Sequence, residues 1–295
     1  KGGELVRTKL EEYDLFSNNL SDDILIATTV NGYPIEPGAD LSNADLEGAD
    51  LSNADLEGAY LRYANLRDAD LSGAYLRYAN LRDADLFGAD ISDADLRNAY
   101  LNDADLRVSN LSNADLRGAY MNGVIFSTGT VSSSNFNSVN LSSARLSDAA
   151  MRYANLNGTN LNGARFDNVN LRDADLRGAN LTNGRFDDTN LSDADLSGAN
   201  LSNAYLEGNV LSNTNLSNAN LSGANLSGAN LSNANLTGAL LGNANLSGAN
   251  LTGADLSDVI AENLSSCPSR LPEGWVCEDN SLIEEVVVVE EEVVE

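Results

Sequence analysis

The chain of 295 residues contains no histidine, only two cysteines, one tryptophan and four prolines, and aromatic residues make up 6% of it. It is also poor in positive charge, because 17 Lys and Arg stand against 44 Asp and Glu, a formal net charge of −27. Such a surface repels phosphates, so we expect no direct nucleic-acid partner. No apolar run approaches the ~18 residues of a membrane-spanning helix, so we expect no membrane span.

The residue groupings that usually carry enzyme chemistry are also missing. The sequence shows no metal-ligand cluster, no phosphate-binding glycine loop, and no serine or cysteine nucleophile with a partnering base. We therefore predict a protein that is not an enzyme and that has no cofactor.

An apolar residue recurs at every fifth position, from Leu41 to Leu256, without a break in phase. Of these 44 positions 36 are Leu, and the residue two places earlier is Ala in 33 cases. Asp or Asn usually stands directly before the apolar residue, and Ser, Asn, Asp or Gly stands in the two places after it.

A period of five fits neither a helix nor a straight strand. Successive leucines would rotate by ~140° around a helix, and they would alternate between the two faces of a strand. The pattern is satisfied when the chain turns once per unit, with Ala and Leu pointing inward and the polar residues forming corners. Coils of this kind stack at ~4.8 Å through a parallel hydrogen-bonded ladder, and the two ends need caps.

The segments ADLSNADLEGADLSNADLEG (39–58) and ANLSGANLSGANLSNANLTG (219–238) resemble the pentapeptide-repeat proteins. The resemblance implies an all-β fold, a right-handed quadrilateral parallel β-helix, with four units in each coil. The period alone does not choose four sides over three. Four units per coil would give about 11 coils and a rod of about 53 Å.

We predict four parts in the chain. Residues 1–38 form an N-terminal cap or extension, with a helix over 5–16, a strand over 24–30 and a turn-rich segment after it. The repeat β-helix covers 39–258, a C-terminal cap covers 259–283, and an acidic, Val-rich tail covers 284–295.

Candidate contact residues occur in the repeats and at the C-terminal end. Tyr60, Tyr100 and Tyr120 would share one outer column, either packing beside Arg side chains or forming a contact patch for a protein partner. Asp50, Asp70 and Asp90 would share another column, but a flat ladder does not converge on a cation, so we expect no metal site.

Two irregular places interrupt the repeat. In residues 121–140, Phe126 and Phe136 replace Leu, which predicts local repacking of the interior; a seam between two ancestral blocks is the alternative. Asn209 takes an inward position and needs a hydrogen-bond partner there.

The C-terminal part contains Cys267, Trp275 and Cys277. The cysteines either form a disulfide that clips a cap, which would imply an oxidising compartment, or remain reduced in a cytosolic cap. Cysteine-bracketed caps in some pentapeptide-repeat proteins of photosynthetic bacteria favour the disulfide by resemblance. The tail would suit a strand that pairs with another chain, and its candidate contact residues are Val286, Val287, Val288 and Val289.

The main functional hypothesis is a structural or protein-interaction rod in an extracellular, cell-surface, periplasmic or lumenal setting, with self-association through its ends. The alternative, which the resemblance suggests, is a DNA-mimicking inhibitor of a type II topoisomerase such as gyrase. A weaker interpretation is a carbohydrate- or ice-binding face over 209–253.

The fifteen residues 59–73 are repeated at 74–88 with a single change. Fifteen residues are three sides of a four-sided coil, so the second copy would be rotated by a quarter turn. We therefore expect the duplication to preserve the interior and not a site, and the caps or residues 121–140 to be better places for one.

Overall fold

The computed structural model describes residues 28–126, 129, 134–136, 139–146, 148–149 and 151–285. The chain divides into two compact units, Lys1–Arg145 and Leu146–Glu295, and this boundary falls inside the repeat region. No helix occurs among the described residues, and none there could cross a bilayer. The predicted helix over 5–16 lies outside the described residues.

A β-hairpin precedes the repeats in the first unit. Its strands are β1 (Thr28–Val30) and β2 (Tyr33–Ile35), which pair in antiparallel register. Asn31 and Gly32 form the two-residue turn with φ of 52° and 83°, the backbone that an Asn-Gly hairpin turn requires. The segment predicted as turn-rich therefore contains a strand as well as a turn.

Within each unit the repeats pair in parallel with residues one coil away. Single β-bridges join residues 20 apart, as in Asp40 with Tyr60 in the first unit and Asn180 with Asn200 in the second. The Leu41 N–H donates to the Tyr60 carbonyl at 2.7 Å, and the Tyr60 N–H donates to the Ala39 carbonyl at 2.8 Å. An interval of 20 corresponds to four pentapeptides in each turn of the chain.

Each corner is a tight turn that the polar residues of the unit close. In the first repeat, the Ala44 N–H donates to the Leu41 carbonyl at 3.0 Å, and Asn43 has a φ of 60°. Such a turn favours Gly, Asn or Asp, because these residues tolerate the left-handed region. The Asp40 Oδ1 accepts the N–H of Ser42 at 3.1 Å, which explains why Asp or Asn recurs before each Leu.

The interior of each unit consists almost entirely of Leu and Ala side chains with 0–2% exposure. Where a larger side chain replaces Leu, a glycine stands nearby and leaves room because it has no Cβ. A Cβ on Gly129 would lie 2.5 Å from Phe126 Cζ, and one on Gly184 would lie 2.9 Å from Phe186 Cε2. This confirms the predicted repacking around Phe126 in residues 121–140. It also reveals a second such place, which the sequence analysis did not identify.

Asn209 is fully buried and inserts its amide into a corner of the neighbouring coil. Its Oδ1 accepts the N–H of Thr189 at 2.7 Å, and its Nδ2 donates to the Phe186 carbonyl. The side chain thereby takes the place of the usual hydrogen bond across the turn. The prediction that Asn209 needs an interior partner is confirmed.

The C-terminal end of the second unit is a second hairpin, with strands β3 (Trp275–Glu278) and β4 (Ser281–Glu284) in antiparallel register. Leu282 is buried, and its N–H donates to the Ala261 carbonyl at 3.1 Å. This contact places β4 against the last repeats, where it satisfies part of the exposed ladder edge.

Candidate functional site

The predicted tyrosine column exists in the first unit. Bridges join Tyr60 to Asn80, Asn80 to Tyr100 and Tyr100 to Tyr120. The rings of Tyr100 and Tyr120 stack with centroids 5.0 Å apart and planes within 5°. Tyr60 is 55% exposed, so the column presents aromatic surface to solvent, as protein-binding surfaces often do.

A surface recess of about 350 Å³ opens beside this column. Its lining comes from two adjoining columns and comprises Gly58, Tyr60, Tyr78, Asn80, Arg82 and Tyr100. No acidic side chain lines it, although the chain carries 44 Asp and Glu. The recess therefore combines aromatic side chains with the positive charge of Arg82, on a protein that is otherwise strongly acidic.

Tyr78 reaches the recess from a corner that does not suit its side chain. Its φ is 60°, in the region that Gly, Asn and Asp favour, and its side chain is 49% exposed. A bulky residue in this region carries a strain of about 1 kcal/mol or more. The Arg77 guanidinium carbon lies 5.5 Å from the Tyr78 ring centroid, within reach of a cation–π contact.

Most arginines of the first unit are neutralised by neighbouring carboxylates. Arg62 pairs with Asp83 at 3.2 Å, and Arg107 Nε donates to Asp105 Oδ1 at 2.8 Å. The hydrogen bond from the Arg107 side chain lowers the pKa of the Asp105 carboxyl below its usual range, against the opposing effect of burial.

Two arginines beside the recess, Arg77 and Arg82, have no carboxylate within ion-pair distance among the described residues, although the charge of Arg77 acts on Asp95. Arg82 Nε donates to Asn102 Oδ1 at 3.3 Å, and its guanidinium carbon lies 5.0 Å from the Tyr100 ring centroid. Neither Arg82 nor Arg77 forms an ion pair with any residue that the structure describes. The Nε of Arg77 is also buried without a hydrogen-bond partner.

The acidic column behaves as a ladder and not as a ligand set. Bridges join Asp50 to Asp70 and Asp70 to Asp90, as the period predicts. The side-chain hydroxyl of Ser52 lowers the pKa of Asp50 by hydrogen bonding to its carboxylate. In the described part of the chain, no three His, Cys, Asp or Glu residues converge as metal ligands.

The C-terminal cap contains a disulfide between Cys267 and Cys277. Trp275 begins β3 and is half-buried. A shallow groove of about 430 Å³ lies where β4 meets the last repeats, and Ile260 and Ile283 line it with 54% and 42% exposure. The candidate residues Val286, Val287, Val288 and Val289 lie outside the described residues.

The family model for pentapeptide repeats matches the chain in eight copies, over more than half of its length. The matched residues are 39–77, 54–93, 64–103, 89–127, 189–228 and 229–262. The chain belongs to the pentapeptide repeat family. A second model, for a pentapeptide repeat region, matches residues 119–196, so the family's repeats span the irregular stretch too.

Solved pentapeptide repeat proteins are similar to this chain in sequence. HetL of the cyanobacterium Nostoc sp. strain PCC 7120, involved in heterocyst differentiation regulation, is 36% identical over 69% of this chain and 87% of its own, with a TM-score of 0.39. QnrB1, a plasmid-mediated fluoroquinolone resistance protein, is 21% identical over 58% of this chain and 83% of its own, with a TM-score of 0.35.

A pentapeptide repeat protein of the Arabidopsis thaliana thylakoid lumen is 29% identical, over 33% of this chain and 65% of its own, with a TM-score of 0.24. No curated protein matches the chain.

Sequence reasoning identified Tyr60 and Tyr100 but missed Tyr78, Asn80 and Arg82. Column sorting groups residues 20 apart, whereas Tyr78 belongs to the neighbouring column and reaches the recess around a corner. A signal was nevertheless present: in this pentapeptide repeat chain a Tyr occupies the corner position that Gly, Asn or Asp usually fills.

Proposed function

We propose that the chain is a non-enzymatic protein-interaction scaffold that binds its partner through the tyrosine column and recess of the first unit. The observation that carries this proposal is the aromatic surface of Tyr60, Tyr78, Tyr100 and Tyr120, held on a hydrogen-bonded ladder. Tyr and Arg are enriched at protein interfaces because they offer large contact areas with hydrogen-bonding ends. A preformed ladder loses little conformational freedom on binding.

The same surface argues against catalysis. The recess is open and shallow, and no general base or paired carboxylate lines it. The finer architecture that we propose for this scaffold is a right-handed quadrilateral β-helix of about 11 coils, in line with the ladder interval and the ~4.8 Å spacing.

Site-specific photocrosslinking tests the scaffold role. A photoreactive phenylalanine analogue at Tyr60 is expected to trap a discrete protein adduct in extracts of the source organism. The matched control is the same substitution at Tyr205, a 52% exposed tyrosine of the second unit. Equal labelling from both positions, or none from Tyr60, would contradict the proposed surface.

We further propose that the protein works in an oxidising compartment, at the cell surface or in a periplasm or lumen. The disulfide between Cys267 and Cys277 supports this, since such bonds persist mainly outside reducing cytosol. A labelling reagent that alkylates free thiols is added before the source cells are lysed. It should label neither cysteine without reductant and both cysteines with reductant. Labelling of both cysteines without reductant would place the native protein in a reducing compartment.

Self-association through the ends is a separate proposal for residues 284–295. Val286–Val289 has high β-propensity and would pair with a second chain by strand addition. Deletion of 284–295 should convert assemblies to monomers in sedimentation experiments. An unchanged oligomeric state in the deletion variant would eliminate this form of assembly.

A second candidate function is inhibition of a type II topoisomerase by DNA mimicry. The net charge of −27 and the stacked carboxylates of Asp50, Asp70 and Asp90 favour it, because they set negative charge at regular intervals along a surface. The ion pairs that neutralise Asp83 and Asp105 act against it. Unchanged gyrase supercoiling at micromolar protein would exclude this candidate.

A further inference from the structure

The recess offers the free donors of an arginine beside its aromatic walls. The two terminal nitrogens of Arg82 make no hydrogen bond to the described residues, since only its Nε is engaged, by Asn102. The Asn80 Oδ1 accepts the backbone N–H of Arg82 at 3.3 Å, and the Nδ2 of the same amide is a donor. Tyr60, Tyr78 and Tyr100 add hydroxyls around the same opening.

A ligand that suits the free guanidinium of Arg82 has an acceptor group, and a short apolar stem suits the tyrosine rings beside it. An ionised carboxylate is acceptor-only and fits the planar fork of an arginine, while a glutamate or aspartate stem packs on tyrosine rings. A single unpaired fork favours one negative charge over two. The strong negative charge of the chain likewise disfavours a dianionic phosphate group.

We propose that this recess binds an acidic side chain presented by a partner protein. The inference rests on the proposed scaffold function and names the chemistry of its partner. The partner that we propose for this recess is a different protein and not a second copy, because self-association is assigned to residues 284–295 and not to this surface.

The probe is an acetylated, amidated glycine peptide with one central glutamate, and the same peptide with glutamine in its place serves as the uncharged counterpart. Calorimetric titration at 0.15 M salt, where charges farther apart than ~8 Å are screened, measures the local contact. The glutamate peptide should bind at least ~10-fold tighter than the glutamine peptide, as expected for a charge-assisted hydrogen bond. Equal affinity for both peptides would overturn the inference.

Two arginine variants distinguish binding in the recess from a general effect of the protein's net charge. Arg82→Gln should weaken binding of the glutamate peptide at least ~10-fold, because it removes the guanidinium group that is free to bind the carboxylate. Arg107→Gln also removes one positive charge, but Arg107 is paired with Asp105 and does not line the recess, so affinity should stay within ~2-fold. Equal weakening in both variants would show a general charge effect and would refute the site.

Two further probes test the identity of the ligand. A phosphoserine peptide that binds tighter than the glutamate peptide would overturn the choice of carboxylate over phosphate. Tight binding of a peptide with the sequence of residues 284–295, together with dimerisation lost in Arg82→Gln, would overturn the choice of a different protein. If neither peptide binds while photocrosslinking at Tyr60 still traps a partner, the scaffold function is retained and the proposal of an acidic side chain as the ligand is refuted.

Discussion

The substitution Gly184→Ala should destabilise the protein, although Ala is the usual residue at this repeat position. The added Cβ would lie 2.9 Å from Phe186 Cε2 and 3.4 Å from its Cζ. The ring cannot easily move away, because Phe186 is fully buried and stacks on Phe166 with centroids 4.6 Å apart. Overpacking of this kind costs about 1–3 kcal/mol, and the stiffer unfolded chain returns about 0.4–1 kcal/mol. We expect a net loss of about 1–2 kcal/mol.

Equilibrium unfolding in urea measures this loss, and a double-mutant cycle with Phe186→Leu identifies its cause. In the Leu background the clash with the ring is removed, and only the 3.0 Å contact of the Cβ with the Leu181 carbonyl oxygen remains, so Gly184→Ala should be clearly less destabilising than in the parent. The control is Gly242→Ala, whose Cβ would meet only a backbone oxygen at 3.8 Å. That variant should lie within ~0.5 kcal/mol of the parent or above it.

The reasoning fails if Gly184→Ala has the same effect in both backgrounds. Additivity within ~0.5 kcal/mol would mean that Gly184 and Phe186 do not share the space that the structure assigns to them. A destabilisation by Gly242→Ala as large as that by Gly184→Ala would also refute it, because the glycine effect would then be general.

Four other outcomes are expected. Tyr78→Asn should raise the free energy of unfolding by about 1 kcal/mol through relief of strain while weakening binding of the glutamate peptide; loss of stability would contradict the strain argument. Asn209→Asp should destabilise at pH 7 more than at pH 4 relative to the parent, because an unpaired buried carboxylate favours its protonated form; an equal effect at both would refute burial. Cys277→Ser should lower the thermal stability of the cap by the equivalent of about 2–3 kcal/mol, detectable by Trp fluorescence, and no shift would exclude a disulfide. The lowered pKa of Asp105 means that its bond with Arg107 stabilises the fold above pH ~4 and is lost on acidification, so Asp105→Asn should lose less stability than the parent between pH 5 and 2; at this exposed site the difference should stay below ~1 kcal/mol, and parallel curves would contradict it.

The repeat could be predicted from sequence because the residues that determine the conformation of each pentapeptide lie within that pentapeptide. Leu41 and Ala44 are explained by burial, Asn43 by its positive φ, and Asp40 by its hydrogen bond to Ser42, all within five residues. Because these local preferences all favour the same turn, the conformation of a coil can be predicted without knowledge of the neighbouring coils.

Features that depend on contacts between coils could not be predicted in the same way. The need of Asn209 for a partner was evident, but the identity of that partner, a turn 20 residues earlier, follows only once four units are known to complete a turn. Arg82 and Arg107, by contrast, have the same position in their repeats, and a local difference decides their pairing. Asp105 stands two residues before Arg107 and pairs with it, whereas Asn80 stands two residues before Arg82.

The duplication at 59–73 and 74–88 takes on a different meaning once the recess is known. Its offset of three sides does rotate the second copy, since Tyr60 and Tyr75 bridge in different columns. The same offset, however, brings Tyr78 of the second copy to the side of Tyr60 of the first, and both line one recess. A site therefore need not recur on one face, because two rotated copies can meet at a corner. Growth by whole pentapeptides preserves the interior, and by shifting columns it also creates surface combinations that neither copy has alone.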